Sequence, residues 1–232
     1  MILKPWDQLP DHMRTDAVRP YYDVLSRHKA GLAVKRIFDF LVSAVLLVLT
    51  LPLMLIIAAA VKADSPGPAL FFQERVTTYE KHFRIWKFRT MNQNAEKHGT
   101  QVTISHDKRI TRVGKFLRKY RLDELPQLVN IVRGDMSFVG TRPEVVRYVD
   151  RYRPEYYATL LIPAGVTSEA SIRYKDEYKL LAAADDVDRV YLEEVLPAKM
   201  VWNLESVMRF RFLREILTMI RTILAVFGKE YH

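Results

Sequence analysis

Two carboxylates stand side by side at Asp123 and Glu124, in the stretch RLDELPQL, directly after a run rich in lysine and arginine. Adjacent acids in a basic setting can do two kinds of chemistry on a phosphorylated ligand. They can hold a divalent cation, because Mg²⁺ takes hard oxygen ligands, commonly one or two carboxylates plus substrate phosphates. Alternatively, one of them can attack phosphorus and form an acyl phosphate. The commoner use of such a pair is capping. Asp123 precedes an apolar run with Pro126 in its first turn, and Leu125, Leu128, Val129 and Val132 supply the stripe of a helix that Asp123 would cap. A helix start also offers amide donors to phosphate, and Lys87, Arg89, Arg118 and Arg121 are candidates to neutralise further phosphate charge.

The elements that must carry these residues follow from periodicity. FRIWKFRTM alternates apolar and basic side chains, which predicts a half-buried strand with Lys87 and Arg89 on one side. The alternative is a solvated basic strand edge. Before it, Ser65-Pro66-Gly67-Pro68 forces a turn, and Ala69 to Val76 reads as extended. From Lys108 to Tyr120 the pattern is helical, with Lys108, Arg112, Lys115 and Lys119 on one face and Ile110, Val113 and Leu117 on another. Such a basic amphipathic helix presents a solvated face or lies against anionic headgroups.

From Phe38 to Val61 the strongly polar side chains are Asp39, Ser43 and Thr50 alone, and at ~1.5 Å per residue a helix of this length can cross a bilayer. Pro52 lies within it and predicts a bend. Lys35 and Arg36 before the segment and Lys62 after it are compatible with both ends facing the cytoplasm, so a helix-break-helix hairpin dipping into one leaflet fits, with a kinked spanning helix as the alternative. The preceding polar arm, with Pro5, Pro10, Pro20 and aromatics at Trp6, Tyr21 and Tyr22, argues against a cleaved signal peptide and predicts packing on something larger. Near the other end, Phe212, Ile216, Met219, Ile220 and Ile223 form one helical stripe, with Arg214, Thr218 and Arg221 on another; this helix lies on a membrane or packs into the core. The acidic segment from Asp185 to Glu194 reads as a solvated helix flank.

Composition bounds the rest. The chain has 232 residues, 49% of them hydrophobic, enough for one domain with a core plus an appendage. A formal charge of +9 favours polyanionic partners, whether phosphorylated small molecules, nucleic acid or anionic lipid. With no cysteine, disulfides and thiolate chemistry are excluded, and His82, His98 and His106 show no metal-ligand spacing.

Several ordered motifs together resemble the bacterial sugar transferases, the monotopic polyprenol-phosphate phosphoglycosyl transferases: KRIFDF, DSPGPALFFQERV, FRIWKFRTMNQNAE, DKRITRVGKFLRKYRLDELPQLVNIVRGDMSFVGTRPE and EVLPAKM. The resemblance runs from about Lys35 to the end of the sequence. It implies a cytoplasmic active site at the bacterial inner membrane, Mg²⁺, a nucleotide diphosphate sugar donor and a polyprenol phosphate acceptor. By the same resemblance Asp123 is the nucleophile and Glu124 holds Mg²⁺ or orients the reacting groups, the acidic pair being the metal site. Lys87, Arg89, Arg118 and Arg142 of TRPE are the implied phosphate binders. The sequence departs from the family pattern in having Leu51-Pro52 at the hairpin break, no glycines in RVTTYEKHF, Thr141 where proline is usual, and Pro163-Ala164 and Thr167-Ser168 in a region that the resemblance places near nucleotide or sugar.

The expected architecture is α/β and mainly helical, with amphipathic interfacial helices: a polar arm over 1–31, a re-entrant membrane hairpin over 32–64 and a cytoplasmic catalytic domain over 65–232. A homo-oligomer is compatible with it, and no nucleic-acid partner is expected. The competing class is a membrane-tethered nucleic-acid-binding protein, suggested by the charge and the basic helix, but without a reader motif or a use for the acidic pair.

Overall fold

The computed structural model describes residues 3–92, 109–174, 181, 184 and 186–226. His98, His106, Lys108 and Asp185 lie outside the described residues. The described chain is mainly helical, with two small two-stranded sheets set among the helices.

The arm begins with two proline-led 3-10 turns, Trp6–Gln8 and Asp11–Met13, and continues into α1 (Arg19–Arg27). Proline suits each start, because its fixed φ is already helical and it lacks only a donor that a first turn leaves unused. Leu3, Leu9, Met13, Val18 and Leu25 are buried in one cluster with Leu161, Ile162, Val207 and Phe210, so the arm does pack on the rest of the chain.

Helix α2 (Lys29–Asp64) is a single element, long and apolar enough to cross a membrane by length and composition. The expected helix-break-helix over 32–64 therefore shows no interruption at Pro52. Pro52 is exposed, and the helical backbone continues through its turn. Thr50 reinforces that turn by donating its hydroxyl to the Leu46 carbonyl at 2.7 Å. One side of α2 carries Leu32, Lys35, Asp39, Ser43, Ile57 and Val61 into the protein, while Val45, Val48, Leu49, Leu55 and Ile56 on the other side are exposed.

Strand β1 (Leu70–Val76) pairs antiparallel with β2 (His82–Phe88), Leu70 opposite Phe88 and Val76 opposite His82. The connecting turn places Tyr79 and Glu80 at φ of 54° and 58°, a left-handed pair that usually calls for glycine or asparagine. Docking offsets part of that strain, since the Tyr79 hydroxyl accepts from the Lys4 amide at 2.9 Å. After α3 (Arg112–Lys119) and α4 (Gln127–Arg133), strand β3 (Met136–Val139) crosses over through α5 (Val146–Val149) to the parallel strand β4 (Ala164–Thr167). The backbones just past β3 and within β4 come so close that a Cβ on Gly165 would sit 2.1 Å from the Gly140 nitrogen. Only hydrogen atoms fit there.

The chain then forms α6 (Glu169–Arg173), α7 (Val187–Val190), a π turn over Tyr191–Val195 and α8 (Leu196–Met208). The last helix, α9 (Phe212–Val226), reverses one expectation. Thr218, assigned to its polar stripe, is buried, whereas Ile220 and Ile223 of its apolar stripe are exposed together with Leu213, Leu217 and Leu224. The helix docks through polar groups instead: Thr218 donates to Glu169 at 2.7 Å, and the Thr167 and Thr222 hydroxyls meet at 2.7 Å.

Two polar residues of α2, one turn apart, join these parts. Lys35 donates to the Val139 carbonyl at 2.8 Å and pairs with Glu215 of α9. Asp39 accepts from the Ser137 hydroxyl at 2.7 Å and the Phe138 amide at 3.3 Å. Burial raises the Glu215 carboxyl above its ordinary value, with Lys35 opposing. Removing Lys35 leaves that acid unpaired, so Lys35→Met is expected to cost about 3–5 kcal/mol near pH 8. Because the folded acid then keeps its proton to a higher pH than the unfolded one, the cost shrinks as pH falls towards 5. Denaturant unfolding of detergent-solubilised protein at the two pH values checks this, and Lys35→Met with Glu215→Leu should restore most of the loss.

Candidate active site

Helix α3 ends at Lys119, and the chain turns at Arg121, whose φ of 55° lies in the left-handed region. That strained residue redirects the backbone into a 3-10 turn over Leu122–Glu124, which leads through Pro126 into α4. The turn carries Leu122 and Leu125 against Ile57, Val61, Phe88 and Leu117. With these apolar side chains packed against α2, β2 and α3, Asp123 is buried and the Glu124 side chain is only 9% exposed.

Asp123 is not an N-cap. α4 starts at Gln127, the residue before it is Pro126, and no side chain caps either the 3-10 turn or the helix. The interaction expected to explain a buried aspartate is therefore missing. Its Oδ1 has no hydrogen-bond partner among the described residues, an arrangement that costs free energy unless something else uses the oxygen.

Glu124 is in the opposite situation. Arg142 Nη2 donates to its Oε1 at 2.7 Å, Lys87 Nζ lies 3.6 Å from the same oxygen and Arg121 Nη1 3.9 Å. Although burial alone would raise its pKa, Arg142, Lys87 and Arg121 together hold the Glu124 carboxyl well below the usual range. Asp123 moves the other way. Burial and the neighbouring Glu124 charge raise it, while Lys87, Arg118 and Arg121 restrain the rise. Burial pushes the Lys87 ammonium down to about 8, with Glu124 pulling it back up. Two adjacent acids with such unequal surroundings take unequal roles.

Of the residues expected to bind phosphate, Lys87 and Arg142 meet at Glu124, and Arg118 acts on Asp123 through its charge. Arg89 does not join them. It is buried one residue beyond β2, donating to the carbonyls of Val61, Ser65 and Pro66 and to the Ser65 hydroxyl at 2.7 to 3.1 Å, and so holds the C-terminal end of α2. The reason is availability: at the end of α2 the carbonyls of Ser65 and Pro66 lie beyond the helical hydrogen-bond pattern, and with Val61 they match the donors of a guanidinium.

The acidic pair suits Mg²⁺. Asp123 offers an oxygen without a partner, and Glu124 beside it is a carboxylate that three cations hold ionised. A site of one or two carboxylates that leaves its remaining positions to phosphate and water is ordinary for this ion. No cluster of three or more potential metal ligands occurs among the described residues.

Sequence reasoning did not identify Arg75 or Gln127. Arg75 donates to the Pro143 carbonyl at 3.1 Å, in the segment that carries Arg142, and Gln127 is buried at the start of α4, three residues after Glu124. Spacing three residues from Glu124 was the available signal for Gln127.

The pattern of the bacterial sugar transferase family matches residues 30–229. The chain is 39% identical over 191 residues to the UDP-N-acetylgalactosamine-undecaprenyl-phosphate N-acetylgalactosaminephosphotransferase of Aeromonas hydrophila, covering 80% of this chain and 44% of that protein. It is 43% identical over 142 residues to the UDP-glucose:undecaprenyl-phosphate glucose-1-phosphate transferase of Caulobacter vibrioides, covering 60% and 53%. With the exopolysaccharide production protein PSS of Rhizobium leguminosarum bv. phaseoli it shares 37% identity over 149 residues, covering 61% and 74%. The match thus spans about half the length of the first two relatives.

The geometry makes a direct prediction. In metal-free wild-type protein, competitive acetylation followed across pH should show Lys87 titrating near 8. In Glu124→Gln the midpoint should move lower, since the charge that favours the ammonium is gone while burial remains. A midpoint unchanged or raised would mean that Glu124 does not govern Lys87.

Proposed function

The chain belongs to the bacterial sugar transferase family, and we propose that it transfers a phosphosugar from a UDP-sugar to polyprenol phosphate, releasing UMP. The observation that carries this reading is the buried Asp123 oxygen without a partner, set beside a carboxylate already held by three cations. It is supported by the family and by relatives whose names specify UDP-sugar and undecaprenyl phosphate.

In this reading Asp123 attacks the sugar-bearing phosphorus. The bond to the bridging oxygen breaks, UMP leaves with that electron pair, and an aspartyl phosphosugar remains. A phosphate oxygen of polyprenol phosphate then attacks the same phosphorus, and the carboxylate departs unchanged as the polyprenyl diphosphate sugar forms. The raised Asp123 pKa goes with a more basic and more nucleophilic carboxylate once ionised. Lys87, Arg118 and Arg142 bind and neutralise the phosphates, and their pre-set positions lower the barrier because charge builds where cations already stand. Mg²⁺, when bound by Asp123 and Glu124, supplies further positive charge to the phosphate oxygens.

The membrane part of the proposal rests on tethering. The N-terminal side of α2 is bonded to β3 and α9, and its C-terminal end to Arg89, so both ends belong to one globular body. A helix that crossed a bilayer would carry its ends to opposite sides. We therefore read α2 as re-entrant, with its exposed middle in one leaflet and the globular part on the cytoplasmic face of the inner membrane. The exposed apolar face of α9 suits the interfacial plane of that leaflet. This location presents the site to a lipid phosphate at headgroup depth, and catalysis would form the first lipid-linked intermediate of a glycan. The nucleic-acid reading gains no support, since the cations named here converge on carboxylates.

The test is UMP release from a panel of UDP-sugars with Mg²⁺ and undecaprenyl phosphate, wild type beside Asp123→Asn. Wild type should release UMP, and Asp123→Asn should lose about 10³-fold or more while extracting from membranes normally. In the absence of lipid acceptor, mass spectrometry should find a hydroxylamine-labile phosphosugar on wild type alone. Turnover retained by Asp123→Asn would end the nucleophile assignment.

A further inference from the structure

Gln127 is 1% exposed, and neither its Oε1 nor its Nε2 has a hydrogen-bond partner among the described residues. A carboxamide that is buried and leaves both atoms unused is an expensive arrangement, because each atom gives up water and receives nothing in return. Its neighbour Asn130, one turn further on, shows the alternative. There Oδ1 accepts from the Trp86 amide at 3.0 Å and Nδ2 donates to the Arg84 carbonyl at 2.8 Å, so β2 satisfies both atoms.

The surroundings fix where Gln127 stands. Asn130 meets β2 at Arg84 and Trp86, while Glu124 meets it at Lys87. Gln127 lies between these two anchor points, three residues after Glu124 and three before Asn130, and the three-residue hydrogen-bond spacing that runs from Arg121 to Val129 keeps residues three apart on one face. An unpartnered carboxamide thus stands on the face that presents Glu124 to Lys87, and the proposed nucleophile, with its own unpartnered oxygen, is the residue before Glu124. Spare donors and acceptors arranged in this way are characteristic of a place completed by a ligand.

We infer that Gln127 is a further catalytic residue, whose carboxamide binds the phosphosugar portion of the donor. This deepens the proposed function and rests on it. A phosphate ester of a sugar presents what the side chain lacks: a phosphoryl oxygen accepts from Nε2, and a nearby sugar hydroxyl donates to Oε1. Inorganic phosphate or a bare nucleotide phosphate offers less, since an anionic oxygen satisfies the amide nitrogen and repels the amide oxygen. Gln127 accordingly aligns the reacting phosphorus with Asp123 and contributes little to holding the departing UMP.

Gln127→Leu and Gln127→Met remove both polar atoms at similar volume, and each is compared with wild type using a UDP-sugar that wild type accepts. The expected result is a fall of about 10- to 100-fold in kcat/KM, with the inhibition constant of UMP unchanged within about twofold. Tm should be unchanged or slightly higher, because an unsatisfied buried amide has been replaced by an apolar group. If the leucine variant does not fold, the unbranched methionine variant decides. Wild-type kcat/KM in a folded variant overturns the inference, as does a loss shared equally by UMP inhibition, which would mark Gln127 as a structural residue bridged by water. Wild type that releases no UMP from any donor defeats the functional reading itself, and this inference with it.

Discussion

The arrangement depends on one electrostatic inequality: two adjacent carboxylates are buried together, and the cations are not shared between them evenly. Arg142, Lys87 and Arg121 gather at one oxygen of Glu124, whereas Asp123 feels Lys87, Arg118 and Arg121 without a hydrogen bond to its Oδ1. Two like charges at this separation cannot both be fully stabilised in a poorly solvated site. Placing the cations on Glu124 resolves the conflict. It fixes Glu124 as an ionised anchor and keeps Asp123 basic, and it requires a basic residue from each of several separate segments.

Those segments explain much of the remaining fold. Lys87 comes from β2, which is registered against α4 by the Asn130 carboxamide. Arg142 follows β3, and β3 is held by Lys35 and Asp39 of α2. Arg89 ties the far end of the same helix to the globular part. The polar groups within this apolar helix therefore serve as its attachment to the site. Ion pairs in such a setting can stabilise less than well-packed apolar side chains of the same volume. Their contribution here is positional, because an apolar stripe slides in a way that a lysine seated on one carbonyl does not.

Much of this was legible in the sequence where local spacing carries information. Alternation in FRIWKFRTM placed a strand, and the stripe of Val113 and Leu117 placed α3, although Lys108 lies outside the described residues. The family resemblance named Lys87 and Arg142 as phosphate binders, and both stand beside Glu124. What was missed depends on contacts distant in sequence. Nothing in RTM says that Arg89 will find helix-end carbonyls of residues 61, 65 and 66. Capping by Asp123 failed because Arg121 adopts a left-handed conformation, which starts the turn earlier and turns the aspartate inward. A preference for caps is a statement about isolated helix ends, and the burial of Leu122 and Leu125 against other elements overrode it.

Helix α9 shows how the surroundings decide the meaning of a pattern. Its stripes are those of an ordinary amphipathic helix, and in water the apolar stripe belongs inside. Here Glu215, Thr218 and Thr222 make the inward contacts, and Leu213, Leu217, Ile220, Ile223 and Leu224 face out. Adding the exposed side of α2 gives apolar surface far beyond scattered single residues. An inward face built of specific polar pairs survives only if the outward face is not competing for the same core. In the proposed membrane setting a hydrocarbon boundary would remove that competition, because leucines satisfied by lipid gain nothing from turning inward. In the same proposed setting, α9 is joined to α2 through Lys35 and Glu215 and still contributes to the support of β3: side chains facing lipid would set the depth of the protein, and the polar ones the geometry of the site.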